Sequence, residues 1–208
     1  MSSHNILVLN CGSSSIKFAI FDMVDEHIIV SGLAERLYST QSVINWTGQF
    51  NGQANINEQG HQAALDKLTA LLSEWNILNS LIGIGHRVVH GGELFEHSTL
   101  LDSNNLKQLK TLNSLAPLHN PVNILGIEVC QTLLPHVPQV AVFDTSFHQS
   151  MPEHAFMYAV PQDWYKNHGV RKYGFHGTSY RYIVQACAKK LNKPTSELNI
   201  LCAHLGNG

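Results

Sequence analysis

Residues 6–21 read Ile6-Leu7-Val8-Leu9-Asn10-Cys11-Gly12-Ser13-Ser14-Ser15-Ile16-Lys17-Phe18-Ala19-Ile20-Phe21. A short apolar run, a Gly/Ser-rich break and a second apolar run are the pattern of strand, turn and strand, a β-hairpin. Ile28–Leu33 offers a third strand directly afterwards. Helical spacing appears only later, in Ala64, Leu65, Leu68, Leu71, Leu72 and Trp75. Strands in succession followed by alternating helix and strand predict an α/β fold built on a mixed sheet.

The rest of the chain extends this pattern. Residues 39–60 are polar and rich in Gly, Asn and Gln, so irregular strands and loops are expected there. Gly83–Val89 reads as a strand. Asp102-Ser103 can cap a helix that carries Leu106, Leu109, Leu112 and Leu115. Asn120-Pro121 opens another, with Pro at the first helical position. Pro135 and Pro138 end it, and Val140–Phe143 follows as a buried strand. Beyond about residue 150 a new unit is expected, with a helix over Thr178–Leu191 and a strand over Asn199–His204. The boundaries drawn are 1–150 and 151–208. The final Leu205-Gly206-Asn207-Gly208 reads as a strand opening into a Gly-rich turn, so a fragment of a longer chain is expected.

Composition bounds the function. The 208 residues carry a formal net charge of -2, with 44% hydrophobic and 13% charged residues. That is the make-up of a folded globule. It lacks the clustered Lys and Arg of a nucleic-acid or membrane-surface binder. No run is long and apolar enough for a membrane span. The opening Met1–Asn10 has no basic stretch leading into a long apolar run, so no secretory signal is read and a cytoplasmic protein is expected. Cys11, Cys130, Cys187 and Cys202 lie far apart without a C-x-x-C pair, which favours reduced thiols. The thirteen histidines are scattered.

Chemistry concentrates in a few short motifs. The turn Asn10–Ser15, followed by Lys17, aims backbone N–H groups, hydroxyls and a cation at one point, which suits a phosphate. It is not a Walker loop, because the turn leads into a strand rather than a helix. An ordinary Ser-rich hairpin would carry the same residues. In His86-Arg87-Val88-Val89-His90-Gly91-Gly92-Glu93, a strand-end Arg stands beside exposed backbone. Its guanidinium can grip a carboxylate or phosphate in bidentate fashion, or simply form a structural salt bridge. Asp144, in Phe143-Asp144-Thr145-Ser146-Phe147-His148, ends a buried strand, where α/β proteins hold magnesium or a reactive carboxylate; a capping role is the alternative. His176, in Tyr173-Gly174-Phe175-His176-Gly177-Thr178-Ser179, precedes a helix N-terminus, a natural anion site. His204-Leu205-Gly206-Asn207-Gly208 is a second Gly-rich turn. Each signal is weak alone, but all suit phosphate chemistry.

Taken in order, LNCGSSSIK, GHRVVHGGE, APLHNP, VFDTSFH, YGFHGTS and HLGNG resemble the acetate kinase family, from Ile6 to the last residue. Tyr180, where many members have His, is a local departure. The resemblance implies an actin-like ATPase (ribonuclease H-like) fold. The implied reaction is magnesium-dependent, in-line phosphoryl transfer between ATP and acetate, giving acetyl phosphate and ADP. It further implies that Asn10 helps hold magnesium and phosphate, and that Ser13, Ser15 and Lys17 line the phosphate path. Arg87 would bind the carboxylate or the transferring phosphoryl group, and Val89, Leu118 and Phe175 would form a methyl pocket. By the same resemblance Asp144 and His176 are catalytic, and His204, Leu205, Gly206, Asn207 and Gly208 begin a second phosphate loop. Family members run well past residue 208, through a region that grips adenosine and supplies a second Arg and a magnesium-binding Glu. They dimerise largely through that absent portion. A propionate or other short-chain acyl kinase is the nearest alternative. A non-catalytic phosphate-binding fragment is the alternative of another class. The kinase reading requires Ser13 and Arg87 to face one cleft.

Overall fold

The structure is a computed structural model and describes residues 4–206. Eight strands form one sheet in the order β5-β4-β3-β2-β1-β6-β8-β7. The opening hairpin is β1 (Asn5–Cys11) and β2 (Ser15–Asp22), paired antiparallel from Asn5↔Asp22 to Cys11↔Ile16. β3 (Ile28–Glu35) continues the meander. On the other side of β1, β6 (Leu81–Val88) and then β8 (Gln139–Phe143) run parallel to it. The short β7 (Thr99–Leu100) closes that edge antiparallel to β8. The sheet is thus mixed, as the sequence pattern predicts.

Alternation divides the sheet into a dry face and a wetter one. Leu7, Leu9, Ile16, Phe18, Ile20, Ile84 and Val88 are buried and point to one side. Helices α1 (His61–Glu74) and α3 (Asn120–Leu133) cover that side, contributing Leu65, Leu68, Leu72, Ile127 and Val129. A second cluster forms where α2 (Ser103–Thr111) brings Leu106 and Leu109 against Ala141, Phe143 and Ile124. Asp102 caps α2, its carboxylate accepting the Asn105 N–H at 2.7 Å. Leu112 and Leu115 continue the threefold spacing as a 3-10 turn rather than as α-helix. Leucines three apart eclipse one another in a 3-10 helix and drift apart on an α-helix, so their spacing matches the tighter form.

Two expectations need correction. Residues 39–60 are more regular than their polarity suggests, because β4 (Val43–Gly48) and β5 (Gly52–Asn55) form a hairpin. Asn51 supplies the turn, its side chain donating to Gly48 O and accepting from Gly48 N. At the other end, Asn199–His204 is not a strand. Among the described residues no strand lies beside it, and Leu201 is 99% exposed. An apolar run cannot hold an extended ladder without a partner.

After Ser150 the described chain adds helices but no strand: α4 (Glu153–Phe156), α5 (Gln162–His168) and α6 (Gly177–Leu191). This stretch is tied to the first part by Arg171. Its buried guanidinium pairs with Glu93 and lies over the Phe156 ring, 3.8 Å from the centroid. Tyr165 donates to the same Glu93 at 2.9 Å. All four cysteines are free thiols. Among the described residues no helix is long and apolar enough to cross a membrane.

Candidate active site

The same alternation that buries Leu9 and His86 turns their neighbours Asn10 and Arg87 to the wetter face, and Lys17, paired with Asn10, joins them. Asp144 follows directly on β8. The register Val88↔Phe143 sets the two strand tips side by side, and Asp144 N donates to Val88 O at 3.0 Å. Arg87 Nη2 and Nε both donate to Asp144 Oδ2, at 2.5 and 3.1 Å. Its Nη1 donates to Asn10 Oδ1 at 3.3 Å. The Asp144 side chain is 5% exposed, so this ion pair is largely shielded from water at its carboxylate end.

Two cavities meet at this group. One, of about 530 Å³, is walled by Val89, Leu115, Ala116, Pro117, Leu118 and Phe175, with Arg87, Asp144 and His176 at its polar end. The other, of about 500 Å³, is lined by Asn10, Gly12, Ser13, Ser15, Lys17 and Arg87. Leu118 and His119 border both. Ser13 and Arg87 therefore do share a cleft. A larger hollow of about 860 Å³ beside β4 and β5, lined by residues such as Glu35, Asn45 and Gln53, shares no residue with either.

Helix α3 fixes the strand ends from beneath. Asn123 accepts the Val89 N–H at 3.0 Å and donates to Cys11 O at 2.7 Å, joining the tips of β6 and β1 through one buried side chain. Asn120 accepts the His90 N–H and donates to His90 O. His61, at the start of α1, holds Gly12 O at 2.7 Å. The motif histidine His86 instead faces the core. Its Nε2 donates to Gln139 Oε1 at 2.8 Å, while Nδ1 has no partner among the described residues. Burial pushes its pKa down to about 4, which keeps the ring neutral. Cys11 packs its sulfur toward Gly126, and burial pushes its thiol up to about 12, so it is no nucleophile at neutral pH.

His176 precedes α6 with φ 56° and ψ 23°, a left-handed conformation that a non-glycine residue holds only against its preference. The next residue explains why the chain accepts it. Gly177 N donates to Asp144 O at 2.8 Å, and a Cβ on Gly177 would stand 2.3 Å from that oxygen. Only glycine lets the helix N-terminus come so close. The His176 ring stacks on that of His204, centroids 4.5 Å apart.

The structure thus gathers Asn10, Ser13, Ser15, Lys17, Arg87, Val89, Leu118, Asp144, Phe175 and His176 around two adjoining cavities. Only part of the expected second phosphate loop lies among the described residues. His204 reaches His176, but Leu205 is 91% exposed and Gly206 has open space around it. Asn207 and Gly208 lie outside the described residues. Among the described residues no group of three or more His, Cys, Asp and Glu is placed to hold a metal ion. Sequence reasoning missed His61 and Asn123. A polar residue on the buried stripe of α3, three positions after Asn120, was the available signal for Asn123.

Comparison with known proteins identifies the family. Residues 5–208 match the acetokinase family. An acetate kinase of Ectopseudomonas mendocina is 50% identical over all of this chain and 53% of its own length. One from Bacillus velezensis is 46% identical over 98% of this chain and 52% of its own. A propionate kinase of Francisella tularensis superposes with a TM-score of 0.88 at 41% identity, over 91% of this chain and 50% of that one. An acetate kinase of Porphyromonas gingivalis superposes with a TM-score of 0.85 at 36% identity, over 93% and 50%. The chain therefore spans about half the length of the relatives it matches. With that match over almost every residue, and with the actin-like ATPase fold of its structural neighbours, the chain belongs to the acetokinase family.

Proposed function

We propose that the full-length protein transfers a phosphoryl group directly and in line between ATP and acetate, giving acetyl phosphate and ADP. On this reading residues 1–150 are its first domain and 151–208 open its second. The observation that carries it is the position of Arg87, which lies at the junction of a polar cavity and an apolar one. Acetate has the matching halves, a carboxylate and a methyl group. Val89, Leu118 and Phe175 would receive the methyl, and Ser13, Ser15 and Lys17 would line the path of the phosphates.

Phosphoryl transfer of this kind is mostly positioning and charge neutralisation. Acetate, like other carboxylates with pKa near ~4, is already ionised at neutral pH and needs no strong base. The difficulty is to bring an anion to a polyanion. Arg87, Lys17 and the His176 ring supply cations and donors around the meeting point. Asp144 is best understood as an organiser rather than a proton acceptor, since its carboxylate is already committed to Arg87. Asn10 and Asp144 would hold magnesium through side-chain oxygens, with the rest of its coordination from phosphate and water. When bound it would neutralise phosphate charge.

The test is a hydroxamate assay on the full-length protein with acetate, propionate and butyrate. Acetyl phosphate formation is expected, and its absence would remove the reading. A propionate kinase is the second reading, favoured by the 41% identical neighbour of that name. One methylene in an apolar pocket is worth only ~1–3 kcal/mol, so the ladder of acids decides between them. The 208-residue chain by itself is expected to form little or no acetyl phosphate.

A further inference from the structure

The turn Cys11–Ser15 is polarised by its surroundings. Cys11 O accepts from Asn123 Nδ2 and Gly12 O from His61 Nε2, both at 2.7 Å. Ser14 O accepts from Leu37 N at 3.2 Å, and Ser15 O from Gly12 N at 2.7 Å. The Ser13 and Ser14 N–H groups have no acceptor among the described residues. The Cys11, Gly12 and Ser14 carbonyls are thus held by groups outside the turn, while the Ser13 and Ser14 N–H groups remain, and Ser13 lines the cavity.

His61 has the most leverage in this arrangement. Gly12 O and the Ser13 N–H belong to one planar trans peptide and point in opposite directions. Holding the oxygen toward His61 turns the Ser13 N–H away from it. A carbonyl can only accept, so Nε2 must carry the proton. Nδ1 of the neutral ring then accepts from the Tyr38 hydroxyl at 2.9 Å. His61 is 1% exposed, and burial lowers its pKa, which favours this neutral tautomer. The contact spans 49 positions of sequence and ties α1 to the turn.

We propose that His61, oriented by Tyr38, is a positioning residue for the phosphate turn: it withdraws the Gly12 carbonyl so that the 12–13 peptide offers its N–H, and not its oxygen, to a phosphate oxyanion. This rests on the proposal that the turn takes ATP phosphate. Without the imidazole, the 12–13 peptide can turn over and present an oxygen where an anion should bind.

The experiment uses the full-length protein, measuring ATP binding calorimetrically with magnesium present and the KM for ATP and acetate separately. His61→Leu should weaken ATP about 5–10-fold, the equivalent of one net hydrogen bond, with the acetate KM unchanged. His61→Gln, which keeps a donor near Nε2, should restore ATP affinity to within about twofold. Tyr38→Phe should cost about 2–3-fold. Equal losses in His61→Leu and a folded His61→Gln, or a parallel rise in both KM values, would mean a packing role and overturn the proposal. If His61→Leu does not fold, Tyr38→Phe decides, and unchanged ATP affinity there overturns it. Failure of the unaltered protein to bind ATP would remove the anion-site reading and this inference together. Normal binding that His61→Leu leaves intact removes only the inference.

Discussion

At the scale of single residues, the candidate site turns on Arg87 and Asp144. Replacing Arg87 by Ala in the full-length protein should raise the KM for the carboxylic acid and lower kcat by about 100-fold or more, the order of one lost charge-directed donor. Steady-state kinetics that stay unchanged would take Arg87 out of the site. Asp144→Asn should lower kcat far more than it weakens ATP. Equal losses in both would assign it to holding the strand tips instead. These two residues were legible in the sequence because each is a charged side chain at the end of an apolar strand. His61 and Asn123 were not, although each is hydrogen-bonded to a carbonyl of the turn. Their partners, Gly12 and Cys11, lie 49 and 112 positions away, and no local pattern reports such a pairing.

At the scale of elements, apolar runs located the central strands and helical spacing located α1, while the Asn120-Pro121 start marked α3. Both signals fail where burial is not one-sided. β5 is mostly exposed and β4 only partly buried, so their polar sequence concealed a regular hairpin. Asn199–His204 has the apolar content of a strand, yet no pairing partner among the described residues. The contact between α3 and β1 offers a test of packing behind the site. A Cβ on Gly126 would stand 2.5 Å from Cys11 Sγ. Gly126→Ala should therefore destabilise the fold by about 1–3 kcal/mol through overpacking, despite the better helix propensity of Ala. Urea unfolding would detect it. The double variant with Cys11→Ala should recover most of the loss, because it removes the atom that is struck.

For the whole molecule, the buried histidines set a dependence on acidity. Folded His86 stays neutral down to about pH 4, whereas in the unfolded chain it protonates near 6.5. Below pH 6.5 the unfolded state binds the extra proton, so stability falls as pH drops towards 4, by up to on the order of 3 kcal/mol from this group. Above pH 6.5 the group contributes no slope. His61 and His90, also lowered by burial, act in the same direction. Urea midpoints at pH 7.5 and 5.5 measure the effect. The paired variant His86→Leu, Gln139→Leu, which leaves no orphaned amide, should show a visibly shallower decline. Equal slopes would assign the acid sensitivity to other groups.

Along β1, β2 and β6 the cleft and the interior take turns: Asn10 between Leu9 and Cys11, Lys17 between Ile16 and Phe18, Arg87 between His86 and Val88. Slipping any of these strands by one position would drive a cation or an amide into oil and push a hydrocarbon out into the solvent. Errors in threading the sheet would therefore damage the interior and the cleft at once, so a chain that keeps its centre dry has already aimed its polar groups.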